Sequence, residues 1–474
     1  MSQPIQIIYA LLLSYFLVLN LGTIGFVLMA IGENRLRRRQ AEYTDLERLI
    51  RSDATIALSV IVPAYNEEAV IRDTVLSVLA SRHPQYELIV VNDGSTDSTM
   101  EVLHDSFELE LRDVFYPQPI ETQRVRGIYR SLRYRNLWVI DKENGGKADA
   151  YNAAVNIAYY PYLLHTDADC VFEPETLVRT VRAINFDPAR IIAIGGQIRP
   201  SNGLRIHNGR IIGSGGLPRS LVARFQVIEY MSAFLTHRLA WSHLNAVPVV
   251  AGGFGVWRRD VVIDLGGYAT DVTHEDIELT LKAHRRFRRA RVPYQIVMVP
   301  DATIWTQVPT TWHGIATQRK RWQRIVLEVL WKHRTMLFNP RYGVVGMLMM
   351  PYLLLYEALG PFVEACAYLF IPVMAILGLL NVGFVLLFLA FSIGLNAALR
   401  LSALLIDVAF FGTYDRRSVL RLALLTLAEP LVYRPMLLVP RLYAFVEFLT
   451  GHKAHEQSVR EPSSLAGGAT AASD

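Results

Sequence analysis

Apolar positions along the chain fall into three regimes. Residues 6 to 31 (QIIYALLLSYFLVLNLGTIGFVLMAI) carry no charge and are long enough to cross a bilayer core of about 30 Å as one helix. Residues 343 to 449 are apolar again, broken by Pro351, Gly360-Pro361, Asn381 and the polar stretch TYDRRS at 413 to 418. That pattern predicts an interfacial helix near 343 to 357, spans near 360 to 380 and 382 to 406, and a split apolar stretch at 418 to 449. Glu429-Pro430 and Arg434-Pro435 divide the last stretch, which reads as a hairpin, a re-entrant piece or a surface helix.

Between these ends the period changes. From 57 to 186, short β-branched runs (ALSVIVPAY, YELIVVND, LWVID, YLLHTDAD) alternate with helical patterns (EEAVIRDTVLSVLASR, STMEVLHDSF, GKADAYNAAVNIA, PETLVRTVRAI). Such alternation predicts a parallel sheet with helices on both faces, and ligands bind beyond the carboxyl ends of its strands. The expected domains are an N-terminal transmembrane helix over 1–33, a globular domain over 34–340, a membrane region over 341–451 and a disordered tail over 452–474.

Composition and charge agree with a membrane protein. The chain is 52% hydrophobic over 474 residues with a net charge of +5. Arg35, Arg37, Arg38 and Arg39 follow the first apolar run and Arg416, Arg417 and Arg421 follow a later one. Positive charge at those places puts the globular domain in the cytoplasm and the N-terminus outside. It suits phospholipid headgroups better than nucleic acid, so no nucleic-acid partner is expected. RVRGIYRSLRYR (124 to 135) is basic with interleaved tyrosines and reads as a diphosphate-side or lipid-facing loop. Arg319, Lys320 and Arg324 read as a lipid-facing helix surface. Arg400 and Asp407 read as a snorkelling or bridged pair rather than a polar path. Cys170 and Cys366, the only cysteines, build no disulfide framework.

Polar residues collect at the predicted strand ends: Tyr65, Asn66 and Glu67 after the first, Asp93 after the second, Asp167 and Asp169 after a later one. A helix cap and a turn would explain Asn66 and Asp93 alone, but not this many acidic and amide groups on one side of one sheet. Carboxylates two apart repel unless a cation lies between them, and such a pair holds Mg²⁺ or Mn²⁺ when phosphates complete the octahedron. Lys147, just inside a helix start in GGKADAYN, suits the same anion.

PAYNEE, NDGSTD, DKENGGKADAYN, TDAD, THED at 273 to 276 and QRKRW at 318 to 322 together resemble the membrane-bound family 2 glycosyltransferases, such as cellulose, hyaluronan, chitin and poly-N-acetylglucosamine synthases. The resemblance spans residues 63 to 322. It implies a GT-A type, Rossmann-like α/β catalytic domain, a nucleotide-sugar donor and inverting transfer. It places Tyr65, Glu67, Asp93, Lys147 and Asp167 at the donor, Asp169 on the metal, and Asp276 as general base. Gln318 and Arg321 go to the diphosphate, and Trp322, Gly253 and Phe254 to the acceptor. The chemistry agrees: an acceptor hydroxyl needs a carboxylate to take its proton, and departing diphosphate needs a metal and cations. His274 departs from the usual threonine before Glu-Asp, and His165, Cys170 and His274 are expected to have no role.

The expected function is a plasma (inner) membrane enzyme that extends a β-linked polysaccharide from a UDP-sugar, UDP-N-acetylglucosamine before UDP-glucose, and extrudes it. The alternatives are single transfer to a lipid acceptor and a non-catalytic nucleotide-sensing transporter. No cyclic-dinucleotide domain follows the last span, so control of that kind would need an accessory export or regulatory protein as partner.

Overall fold

The computed structural model describes residues 3–212, 216–272 and 274–450, so Thr273 of the THED motif and the expected tail at 452–474 lie outside the described residues. It resolves into two compact units. One comprises the described residues of Met1–Glu33, Gly216–Ala240 and Pro309–Glu461; the other those of Asn34–Gly215 and Trp241–Val308.

The second unit is built on a sheet of ten strands. In chain order they are β1 Leu58–Ala64, β2 Tyr86–Asp93, β3 Leu109–Arg112, β4 Val125–Ser131, β5 Leu137–Lys142, β6 Tyr162–Thr166, β7 Val171–Phe172, β8 Ile191–Pro200, β11 Phe254–Arg258 and β12 Gln295–Thr306; β9 Arg205–His207 and β10 Arg210–Ile212 form a separate hairpin. The spatial order is β3-β4-β5-β2-β1-β6-β11-β8-β12-β7. β5, β2, β1 and β6 are mutually parallel, joined by helical crossovers, and their unbroken apolar runs are buried as such strands require.

The expected parallel sheet holds for that centre and for the β8–β12 pair. β11 runs antiparallel to both β6 and β8, and β4 antiparallel to β3 and β5, so the sheet is mixed. The segment 124–135, expected as a loop, supplies β4: Ile128 and Ser131 are buried, Arg126 is exposed and Arg130 partly so, and the strand pairs with β3 and β5. Arg126 lies 3.8 Å from Asp141, and Arg130 covers the ring of Trp138.

Among the described residues, the helices Ile5–Tyr43 and Val382–Phe410 are long and apolar enough to cross a membrane, and the bent pairs Val345–Ala358 with Gly360–Ile376 and Arg416–Ala428 with Tyr433–Thr450 bring the total to four if each pair is one span. Tyr9, Leu12 and Phe16 of the first helix pack on Ala367, Met374, Phe384 and Phe388. Leu11, Val18, Leu28, Leu369, Ile376, Leu386 and Leu405 stay exposed, as lipid-facing positions would. Lipid gives helices little hydrophobic reason to associate, so polar contacts matter here. Asn20 Nδ2 donates to Phe391 O at 3.2 Å, and Arg400 pairs with Glu429 at 2.8 Å. Arg319, Lys320 and Arg324 do not face lipid as expected. Arg319 is buried against Glu229 at 2.7 Å, Lys320 reaches Glu447 at 3.3 Å, and Arg324 reaches Glu328 at 2.8 Å, because each has an acid within reach on its own or a neighbouring helix.

Gly196 marks how tightly the second unit is packed. A Cβ there would lie 1.7 Å from Cε1 of Phe254, whose ring occupies the space. Gly196→Ala is expected to cost about 1–3 kcal/mol by overpacking, read as a fall in the thermal midpoint of the purified protein. An unchanged midpoint would show that the ring moves freely.

Candidate active site

The first two signature loops lock together at the carboxyl ends of β1 and β2. Asn66 adopts φ 57°, a left-handed conformation that asparagine tolerates better than most residues. Its Oδ1 accepts from the backbone N–H groups of Thr96 at 2.8 Å and Asp97 at 3.3 Å, and its own N–H donates to Ser95 Oγ. Glu67 N–H donates to Thr99 Oγ1 at 2.7 Å, and Ser98 N–H to Glu68 Oε2 at 3.0 Å. Asn66 is therefore a clamp. Tyr65 stands exposed beside it, while Glu67 is buried.

Asp93 also differs from its expected place against a ligand. It is buried, with Oδ1 paired to Lys142 Nζ and accepting from Gly145 N–H at 3.0 Å, while Oδ2 accepts from Gly146 N–H at 2.8 Å. Lys142 is fully buried and also pairs with Asp149 at 2.6 Å. Asp93 thus anchors the loop that starts the helix Lys147–Ile157, whose first residue is the expected anion-binding lysine.

Lys147 Nζ lies 2.6 Å from Asp167 Oδ1 and 3.4 Å from Glu275 Oε1. Burial works against its charge, but Asp167, Tyr151 and Glu275 outweigh that and hold the ammonium well above its ordinary value. β6 ends at Thr166, so the two aspartates of LLHTDADC follow the strand in a turn. Asp169 Oδ1 accepts from Thr306 Oγ1 at 3.3 Å, and burial, then Asp167, push its carboxyl up to about 6. Asp167, Asp169 and Cys170 bring ligand atoms within 4.8 Å of one another. The carboxylates are hard oxygen donors that fit Mg²⁺ or Mn²⁺; a buried thiol does not.

Asp276 sits in the first turn of the helix Glu275–Ala290. Its Oδ2 accepts from Gly252 N–H at 2.8 Å, and His274 Nδ1 lies 3.8 Å from Oδ1. Gly252 is where the pieces meet. A Cβ on it would lie 3.2 Å from Lys147 Nζ, 3.3 Å from Asp276 Oδ2 and 3.5 Å from Glu275 Oε1, and one on Gly253 would lie 3.3 Å from Asp167 Oδ2.

The structure thus joins Lys147, Asp167, Asp276 and Gly253, with Asp169 beside them. Phe254 is not among them. It is fully buried over Gly196 with its edge toward Phe172, because alternation along β11 turns it to the side opposite Gly255. Gln318, Arg321 and Trp322 lie on the helix Trp312–Lys332 of the other unit. There Gln318 Oε1 and Arg321 Nε are shut off from water without a hydrogen-bond partner among the described residues, and Arg319 covers one face of the Trp322 ring at 4.1 Å.

Sequence reasoning missed Lys142, Asp149, Gly252, Glu275 and His165. Glu275 was quoted within its motif, and Lys142 sits in DKENGGK, yet neither position hints at its pairing. His165, expected to have no role, is buried with Nδ1 2.9 Å from Tyr268 Oη and Nε2 3.2 Å from Ala251 O. Burial, then Lys147, bring it down to about 4, so it is neutral near pH 7.

The family model for glycosyl transferase family 2 matches residues 59–266. The poly-beta-1,6-N-acetyl-D-glucosamine synthase of Staphylococcus aureus strain COL is 28% identical over 282 residues, 59% of this chain and 57% of its own length. That of Staphylococcus epidermidis is 27% identical over 298 residues, 63% of this chain and 59% of its own. The match therefore spans little more than half of these relatives. Among solved structures, a mannosyltransferase from Pyrobaculum calidifontis in complex with GDP-Man and Mn²⁺ shares the fold, with a TM-score of 0.51 at 18% identity, over 90% of this chain and all of that one.

Replacing Lys142 by Met would leave Asp93 and Asp149 buried without their cation. The expected cost is about 3–5 kcal/mol of stability, measured by thermal or denaturant unfolding. A variant as stable as the parent would mean that the two carboxylates have another partner.

Proposed function

From a chain that carries a glycosyl transferase family 2 domain with apolar helices at both ends, we propose a membrane enzyme that transfers a sugar from a UDP-sugar to a growing β-linked polysaccharide and extrudes the product. UDP-N-acetylglucosamine is the favoured donor, since the relatives named above are synthases of poly-N-acetylglucosamine. The membrane is the plasma (inner) membrane, crossed more than once, with the catalytic unit cytoplasmic.

The observation that carries this reading is the convergence of Lys147, Asp167, Glu275 and Asp276 on Gly252 and Gly253. Lys147 meets the diphosphate, as a cation at a helix start suits. Asp167 and Asp169 would hold Mg²⁺ or Mn²⁺, which would supply positive charge for the leaving diphosphate. Asp276 takes the proton of the acceptor hydroxyl as that oxygen attacks the anomeric carbon from the side opposite the diphosphate, which inverts the centre. Its Oδ2 is fixed by Gly252 N–H, so the carboxylate is oriented before the acceptor arrives.

Tyr65 and Glu67 flank the nucleoside, with Asp93 shaping the loop beneath it. Gln318 and Arg321 serve the diphosphate and Trp322 the acceptor sugar, roles taken from the motif resemblance. A sequestered guanidinium N–H without a partner supports the assignment of Arg321 to an anion. Because Arg319 covers one face of Trp322, a sugar ring has only the other.

At most four spans is few for a polymer path, which keeps single transfer to a lipid acceptor as the second reading. Purified protein in detergent, offered a panel of UDP-sugars with Mn²⁺, is expected to make long polymer from UDP-N-acetylglucosamine. One sugar added to lipid would favour the second reading. Asp276→Asn is expected to slow transfer by about 10²–10⁴ while keeping donor affinity. Unchanged transfer would remove Asp276 from the base role.

Metal binding should depend on pH. The folded state raises Asp169 to about 6, above its usual 3.8, so without metal its ionisation costs stability as pH rises through that window. A cation offsets that cost only where the group is ionised. Mn²⁺ is expected to raise the thermal midpoint at about pH 7.5 and to lose most of that effect at about pH 5, where protons compete. An equal shift at both would place the cation elsewhere.

A further inference from the structure

We infer that His165 and Tyr268 are positioning residues that hold the strap Ala251–Gly253 in the shape that points Gly252 N–H at Asp276, and that Gly255 is glycine so that the imidazole can reach the strap. The assignment of His165 and Tyr268 to the strap rests on geometry alone. Its catalytic consequence rests on the reading of Asp276 as the base.

His165 lies in β6 directly opposite Gly255 in the antiparallel pair with β11. Facing side chains in such a pair normally abut, but here one is missing. A Cβ on Gly255 would lie 2.4 Å from His165 Nε2 and 2.6 Å from Cε1, so the ring occupies the position that a side chain would fill. Lying across the neighbouring strand, it comes within 3.2 Å of Ala251 O.

The proton positions follow from the partners. A carbonyl only accepts, so Nε2 carries the hydrogen and Nδ1 is bare. Nδ1 accepts from Tyr268 Oη at 2.9 Å. Tyr268 is pinned in turn by Asn152, whose Oδ1 accepts from its N–H at 2.8 Å and whose Nδ2 donates to its carbonyl at 2.9 Å. The chain of contacts runs from the helix Lys147–Ile157 through Asn152, Tyr268 and His165 to the strap.

The next two carbonyls are held as well. Tyr151 Oη donates to Gly252 O at 3.2 Å, and Thr166 Oγ1 to Gly253 O at 2.8 Å. With the carbonyls of Ala251, Gly252 and Gly253 drawn to buried donors, the Gly252 N–H is left to face Asp276 Oδ2. Ala251 O also accepts from Phe254 N–H at 3.0 Å, so loss of the His165 donor leaves the first of these peptides held by a backbone bond alone, and the orientation of Asp276 loosens with it.

The test uses full-length protein in detergent and compares His165→Phe, which keeps ring bulk, with His165→Gln, which restores one N–H donor and one acceptor. Hydrogen exchange of the peptide covering residues 249–256 needs no substrate. It is expected to speed up in His165→Phe and to return toward the parent in His165→Gln. In transfer assays, His165→Phe is expected to lose kcat on the order of 100-fold with KM for the donor changed less than about twofold, and His165→Gln to recover part of it. Tyr268→Phe removes one hydroxyl and serves where His165→Phe does not fold; it should move exchange and kcat in the same direction. Parent-like exchange at the strap in both His165→Phe and Tyr268→Phe would overturn the inference. So would loosened exchange with kcat unchanged, as regards catalysis. A parent protein that transfers no sugar from any donor would overturn the proposed function instead, and exchange would still decide the strap.

Discussion

Two lysines five residues apart tie together the acidic groups of the site. Lys142, at the end of β5, pairs with Asp93 and Asp149; Lys147, at the start of the next helix, pairs with Asp167 and Glu275. Acidic groups gathered at the strand ends of one sheet would otherwise repel, and buried carboxylates left alone would protonate or unfold the region. The loop between the lysines, with Gly146 at φ 85°, carries one ammonium into the core and the other to the surface of the site. One is sealed, the other partly exposed.

From that constraint the division of labour among the carboxylates follows. Asp93 and Asp149 spend their oxygens on the fold. Asp167 and Asp169 keep theirs near the surface, where burial and the nearby Asp167 raise the Asp169 carboxyl to about 6. Asp276 is held apart from both pairs by Gly252, whose missing side chain makes room for Lys147, Glu275 and Asp276 around one Cα. Small residues on the strap are thus a steric condition for bringing opposite charges together.

Much of this was legible in the order of residues, and its failures are informative. The β1, β2, β5 and β6 runs and their helices were visible because buried parallel strands are continuous apolar stretches. β4 was not, since Arg126 and Arg130 share a face with the buried Ile128, which leaves no apolar and polar alternation to mark a strand. Phe254 was misplaced because a motif names neighbours in sequence, while a strand sends successive side chains to opposite faces. Arg319 was read as lipid-facing because Glu229, its partner, lies 90 residues away.

By itself the sequence determined the long apolar helices at both ends, the α/β class and the residue types of the site. Each of these is set by local period, by composition or by a motif whose residues adjoin. Only the tertiary structure decided which carboxylates are sealed and which are open, that β11 enters the sheet antiparallel, and that His165 reaches Ala251 across Gly255. Those facts depend on register between strands some 90 residues apart, here the pairing of His165 with Gly255. Register is fixed by packing and hydrogen bonding across the sheet and leaves no local trace in the chain.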